Sequence, residues 1–475
     1  MVQTIADLRR QICRLELEIE RQEAALATNR SLLRELQTNL DLQNPTFSIL
    51  TLPPEITSEV FAHCVLEEVA LANFNEAPFV LLRVCKMWNQ IAMSTPALWT
   101  NIRLPSVQPE RTLECMASRS RELSLNLLMA ELPAIDGFWD AFCACAHRVR
   151  TLDINVSLGW TEALTAYAPA FSSLEQLRIV NDSWEGPVLD AFREAPSLRS
   201  VKLIAINLSR VLLPLESITN LVAELYYMEE IMDVLVHLPN LVVFHYTQYA
   251  SEDDIFRQRT PVIHSRLREV RLIEPYEQPS IIRFLTLPNI ETLVVNDSDD
   301  EIEAELLDFF KRSKPSLRTL GLHPAATRRT LNLASLDFLQ TPRIAHLELT
   351  YLGDMAIGVF CQAFTMPSFL RGIREVVLRC RKGPASESNR FAVGRRRGRE
   401  VELHTFVGFV LDAAEKRMVG TPSQPAEAAS PLKLRIFTED TDTLFLSTAQ
   451  ATQCRELKSR GVDVWIGPER RNLVV

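Results

Sequence analysis

The first apolar pattern along the chain has a period of seven. Ile5, Ile12, Ile19, Leu26, Leu33 and Leu40 hold one position, and Leu8, Leu15, Gln22, Asn29 and Leu36 follow three residues after it. Residues 1–44 contain neither Gly nor Pro. This a/d repetition predicts one long helix with a coiled-coil seam. Ile at a with Leu at d in the first two heptads favours a parallel pair, while Gln22 and Asn29 weaken the seam and can set its register. The same stripe also suits packing back on the chain itself, so self-association through 1–44 is one of two readings. Pro45 stops the helix, because proline cannot continue the hydrogen-bond ladder.

Over residues 49–102 the apolar spacing becomes that of short helices. Pro53 and Pro54 suit a first helical turn, and Glu55 and Glu59 meet the positive end of its dipole. Ile56, Val60, Phe61 and Cys64 form its apolar face. A second helix is predicted from about Pro78, with Leu81, Val84, Cys85, Trp88 and Ile91 on one stripe. Thr95-Pro96 breaks it before Leu98 and Trp99.

From about residue 105 a short phrase recurs. Ser173-Leu174-Glu175-Gln176-Leu177-Arg178-Ile179 is followed by Ser197-Leu198-Arg199-Ser200-Val201-Lys202-Leu203, and Ser316-Leu317-Arg318-Thr319-Leu320-Gly321-Leu322 repeats it further on. The copies start at 174, 198, 221, 241, 267, 290, 317, 344 and 373, spaced by 20 to 29 residues. An L-x-x-L-x-L phrase at that period is the leucine-rich-repeat signature. It predicts an α/β solenoid with one strand per phrase, leucines turned into a continuous core and alternate residues outward on a concave sheet. Helices such as 300–312, with Ile302, Leu306, Phe309 and Phe310 inward, would coat the other side. Arg178, Lys202, His245, Arg271, Asn296, His346, Glu348 and Arg379 are the candidate substrate-facing positions, although solvated surface also accounts for them. Residues 380–400, with Arg395, Arg396, Arg397 and Arg399, read as a basic flexible insertion or an import patch. Residues 420–431 read as a linker, and alternation at 432–436 and 461–466 closes the domain.

The 49–102 segment carries a more specific resemblance. Leu52-Pro53-x-Glu55-Ile56, the Val60-Phe61 pair, Val84-Cys85-x-x-Trp88 and Pro96-x-Leu98-Trp99 together resemble an F-box, most of all the F-box-like proteins abundant in mushroom-forming fungi. The resemblance implies docking on a Skp1-like protein within a cullin–RING ubiquitin ligase. Carried over by position, it implies that Leu52, Pro53, Ile56, Val60, Leu82, Val84, Trp88 and Ile91 touch Skp1 or support the contact. The 66–77 segment is longer than the spacer of a compact F-box, and the same apolar residues would also serve a private three-helix core.

Composition narrows the field. Hydrophobic residues make up 47% and charged residues 23%, an ordinary globular balance. A dispersed net charge of −9 argues against a phosphate backbone as main partner. No signal peptide or membrane-length apolar run is present. Nine scattered cysteines fit a reducing compartment, cytoplasmic or nuclear. Nucleotide-binding, hydrolase and zinc-protease motifs are absent. Cys143, Cys145 and His147 form the tightest Cys/His cluster, with spacing poor for zinc, so packing is the expectation. The expected organisation is a coiled-coil helix (1–44), an all-α F-box-like module (45–105) and a leucine-rich-repeat domain (106–475). Such a chain would be a non-enzymatic adaptor without cofactor or metal, joining Skp1 to an unknown protein substrate. A coiled-coil scaffold without a role in degradation is the alternative.

Overall fold

A computed structural model describes residues 5–43, 52–65, 77–105, 108–129, 136–156, 158–181, 188–206, 210–249, 261–274, 280–296, 302–323, 344–350, 354–366, 369–370, 372–380, 403–420, 432–438, 446–468 and 472–474. Most of the 66–77 insert, the basic 380–400 segment and the 420–431 linker lie outside them. The described residues fall into two compact units, divided between Leu98 and Trp99.

The first unit is helical. α1 (Ile5–Gln43) is uninterrupted, as a stretch free of Gly and Pro allows. Every described side chain on it is exposed, among them Ile12, Ile19, Leu26 and Leu33 of one seam row and Leu15 and Leu36 of the other. α2 (Pro54–Cys64) has Pro at its first turn, and α3 (Lys86–Ser94) follows a short 3₁₀ turn at Leu81–Arg83. The single helix expected from Pro78 is therefore two pieces. Cys85 is extended (φ −157, ψ 168), so it breaks the run and caps α3, its Sγ accepting from Trp88 N at 3.5 Å.

The second unit is α/β and is built on a parallel sheet. Its early strands are β1 (Asn101–Arg103), β2 (Leu125–Met129), β3 (Val149–Val156), β4 (Gln176–Asn181), β5 (Ser200–Ile204), β6 (Asn220–Tyr226) and β7 (Val243–Gln248). β8 (Val262–Ile263) and β10 (Leu285–Thr286) pair only with each other. The main sheet goes on through β9 (Glu269–Ile273), β11 (Thr292–Asn296), β12 (Thr319–Leu322), β13 (His346–Thr350), β14 (Glu375–Cys380), β15 (Leu432–Thr438) and β16 (Val462–Gly467). These 14 strands lie side by side in chain order, every pair parallel. Helices fill the connections: α4 (Pro109–Arg119), α5 (Asp136–Ala146), α6 (Leu158–Tyr167), α7 (Met228–Val236), α8 (Ile302–Ser313), α9 (Asp354–Phe364), α10 (Leu403–Gly420) and α11 (Thr448–Ser459). Ser447 and Gln450 form a capping box on α11, and Gly461 (φ 88) makes the left-handed turn into β16.

Period-two alternation along the strands produces two core rows across the sheet. One runs Ile102, Leu127, Leu152, Leu177, Val201, Leu221, Phe244, Val270, Leu293, Leu320, Leu347, Val376, Leu434 and Val464, in register and all buried. The second runs from Met129 through Ala223, Tyr246 and Leu272 to Ile466, again all buried. Register corrects one phrase: Leu221 aligns with Val201 and Phe244, so that copy opens at buried Ile218, not at Leu221. On α8, Leu306 and Phe309 are buried as expected, while Phe310 is half-buried.

The polar residue that opens a phrase has a job as well. Ser197 donates to Ser172 O (2.9 Å), Ser217 to Leu198 O (2.7 Å), Asn240 to Glu216 O (2.7 Å) and Asn289 to Ser265 O (2.8 Å). Each bond ties one copy to the copy before it and satisfies a carbonyl between strands.

Candidate functional site

Two surfaces answer to the candidate residues, one in each unit. In the helical unit, Thr57 Oγ1 donates to Pro53 O at 3.1 Å, and Thr57 and Phe61 turn inward. Phe61 meets Trp88 edge-on with ring centroids 4.8 Å apart. Leu81, Ile91, Ala92 and Leu98 are buried as well. The apolar face expected on α2 is thus divided: Phe61 is core, whereas Ile56 (50% exposed) and Val60 stand in water one turn apart. Val84, left outside both helical pieces, is 54% exposed. Of the eight candidate docking residues, Ile91 is buried, Leu52, Leu82 and Trp88 are half-buried, and Pro53, Ile56, Val60 and Val84 are exposed. Val80 and Met93 are also exposed and were not among them. Once the break at Cys85 is known, helical spacing counted from it would have separated these residues from the core.

The second surface is the polar face of the sheet, whose three outward rows place the candidates in three groups. Arg178 pairs with Asp153 (2.7 Å) and Lys202 with Glu224 (2.7 Å) on β3–β6. In the middle, His245 Nε2 and Arg271 Nε lie 3.2 Å and 2.8 Å from the same Glu269 oxygen. Burial, the strongest single influence, pushes the Glu269 carboxyl up, but the Arg271 and His245 hydrogen bonds together outweigh it and the net shift is downward. Asn296 ends β11 in the same row as Ile273 and is exposed.

The third group is the most connected. Glu348 Oε1 accepts from Arg379 Nε at 2.5 Å, and His346 Nδ1 lies 3.1 Å from Glu375 Oε2. Arg435 reaches Asp463 at 2.6 Å and Glu375 at 3.7 Å. Arg379 lies over the Phe437 ring and Arg435 over Trp465. His323 bonds to Thr350 beside them. Gly321 keeps the row open here, since a Cβ would meet Val294 Cγ1 at 3.0 Å and His323 Nε2 at 3.2 Å. Three of the candidates, His346, Glu348 and Arg379, are thus brought together. Asp153, Arg435, Asp463, Phe437 and Trp465 belong to the same face and were missed, although the alternation at 432–436 and 461–466 held the signal for Arg435, Asp463 and Trp465.

The hydrogen bond to Glu348 is the main cause raising the His346 pKa, against burial and with help from Glu375. The same bond, with Arg379, holds Glu348 down to about 2. A raised histidine contributes stability that is full below about 6.5 and is lost as pH climbs through its folded value. The depressed Glu348 contributes above 4.5 and is lost as pH falls toward about 2. Proton NMR of the His346 ring is therefore expected to give a midpoint above 6.5. Glu348→Gln should bring it down toward that value. A midpoint at or below 6.5 in the unaltered chain would contradict the pairing.

The Cys143, Cys145 and His147 cluster packs rather than converges. Cys145 is buried with its Sγ 3.4 Å from Phe142 O, and burial pushes its thiol up to about 11. His147 is exposed. Among the described residues no group of three His, Cys, Asp or Glu is placed to hold a metal ion. Among them, too, no helix is long and apolar enough to cross a membrane. The chain matches no family model and no curated protein.

Proposed function

We propose that the chain is the substrate-recognition adaptor of an SCF-type ubiquitin ligase. Its helical module is an F-box-like domain that docks a Skp1-like protein, and its sheet belongs to a leucine-rich-repeat solenoid that holds a protein substrate. The reading is supported above all by the division within the module. Phe61, Trp88 and Ile91 close a small core, while Ile56, Val60 and Val84, at positions carried over from the F-box resemblance, are left in water. Each is about half exposed, so full covering gains about half of the roughly 1.5–3 kcal/mol of a fully exposed side chain of this size, which favours a partner there.

The mechanism is positional. The adaptor has no chemistry of its own, and ubiquitin transfer falls to partner subunits. Holding substrate and ligase in one complex raises the effective concentration of substrate lysines near the catalytic enzyme. The mixed, internally paired charges of the sheet face fit a protein substrate better than a polyanion. Such an adaptor would work in cytoplasm or nucleus.

The test is capture by a purified Skp1-like protein, comparing the unaltered chain with Ile56→Asp combined with Val84→Asp. Both positions are exposed, so circular dichroism should show the variant folded. Affinity is expected to fall by at least about 100-fold, as when hot-spot residues are removed. Failure of the unaltered chain to bind, or equal retention of both, would leave the reading of a coiled-coil scaffold outside the degradation machinery.

A further inference from the structure

The geometry points to α1 as the seam of a parallel, in-register, two-stranded coiled coil between two copies of this chain. This inference stands apart from Skp1 docking and does not depend on it.

Ile12, Leu15, Ile19, Leu26, Leu33 and Leu36 are each 51–58% exposed, and no described side chain of α1 is covered within the helical unit. The described stripe is therefore not satisfied within its own unit. A side chain of that size at half exposure offers on the order of 100 Å² of accessible surface. Six per chain from two chains would remove on the order of 1,200 Å² from water, the lower limit for a specific interface. The α1 helix is about 58 Å long at 1.5 Å per residue, enough for five heptads.

Orientation is decided by the polar seam positions inside the helix, Gln22 and Asn29. Gln22 and Asn29 both occupy d, whereas every a position is Ile or Leu. Antiparallel pairing sets d against a, so no antiparallel register can give either amide a polar partner across the seam, and Gln22 keeps only Glu18 of its own helix, 3.4 Å away. A parallel pair shifted by one heptad sets Gln22 of one copy against Asn29 of the other, but leaves the second copy's Gln22 against Leu15 and the first copy's Asn29 against Leu36. Only the parallel, in-register pair gives both a like partner, Gln22 on Gln22 and Asn29 on Asn29. Flanking charges pull the other way, because Glu18 at g would face Glu23 at e of the second copy. That repulsion is between exposed groups, and Arg21 lies 3.9 Å from Glu18 on the same helix. Leaving buried amides unpaired costs several times more than such an exposed like-charge pair. Ile at a with Leu at d in the first heptads selects two strands.

In such a pair both copies leave the seam at the same end, after Gln43. Two docking modules and two sheets are then tethered together, so a substrate presented twice is held with avidity.

Sedimentation of the full chain at micromolar concentration should give twice the mass of one chain. Leu26→Asp with Leu33→Asp should bring it to a single-chain mass, with the thermal unfolding of the sheet unit unchanged. Gln22→Cys supplies an independent reading that does not rely on disruption. Under mild oxidation it should form a disulfide between position 22 of both copies, located by peptide mass spectrometry and absent from the unaltered chain. A single-chain mass for the unaltered protein overturns the inference. Double mass without the 22–22 link overturns the parallel, in-register arrangement, and double mass surviving both aspartates places the contact elsewhere and overturns it too.

Discussion

Phe244→Ala is expected to destabilise the sheet unit by about 3–5 kcal/mol, the usual cost of removing a buried phenylalanine. Phe244 is fully buried at the centre of a core row otherwise made of Ile, Leu and Val. Its ring stacks on Tyr246 with centroids 6.0 Å apart, and Tyr246 donates its hydroxyl to Tyr226 O at 3.0 Å. Ala223, small and fully buried, lies in register with Tyr246 and makes room for the two large rings. Parallel strands on both sides hold the backbone in register, so the cavity cannot close by collapse. Ile273→Ala makes the contrast. It sits next to fully buried Leu272 on β9 but points to the other face, 50% exposed, and should cost no more than about 0.5 kcal/mol. Urea unfolding followed by circular dichroism separates the two. Similar losses for both, or a loss below about 1 kcal/mol for Phe244→Ala, would mean that the inner rows do not support the sheet.

How much of this was legible in the sequence depends on the range over which each signal acts. Alternation is local, so the strands at Leu174, Leu198, Leu267, Leu317 and Ile344 could be read directly, and so could the inward face of α8. The sheet nevertheless begins three strands before Leu174, at Asn101, because β1 and β2 carry the alternation without the full phrase and β3 opens it on Val149 in place of leucine. At Leu221 the phrase was placed three residues late. Val222 and Ala223 blur the alternation there, and only the ladder to Val201 and Phe244 sets the register. In the helical unit the apolar spacing was clear, but a stripe does not state which residues form core and which stay exposed. That division rests on Cys85 leaving the helix and on Phe61 meeting Trp88, two events at long range for the code that spacing carries. The ion pairs on the sheet face were out of reach for the same reason: Arg178 and Asp153, or Arg379 and Glu348, are joined by strand register across more than twenty residues.

Arginines that close helix ends are the feature furthest from any sequence signal, and the largest remaining effect is expected at one of them. Arg417, near the end of α10, is buried and donates to Phe364 O (3.0 Å), Met366 O (3.3 Å) and Leu370 O (3.0 Å). Phe364 is the last residue of α9, so the guanidinium sits where that helix leaves carbonyls unsatisfied and where its dipole is negative. The same group stacks over the Phe364 ring at 4.7 Å. Burial pulls the Arg417 pKa below its ordinary value. Arg148, on the carbonyls of Ala117 and Leu123, and Arg312, on those of Ile282, Arg283 and Leu285, repeat the device elsewhere. Arg417→Met preserves much of the volume but leaves three carbonyls without their cation, and should cost about 3–5 kcal/mol. Arg417→Lys retains the charge on a point donor that cannot span three acceptors as the planar fork does, so it should recover less than half of that loss. Urea midpoints for the three proteins decide it. A lysine variant as stable as the unaltered chain would show that charge near α9, rather than the forked geometry, holds this end of the sheet unit together.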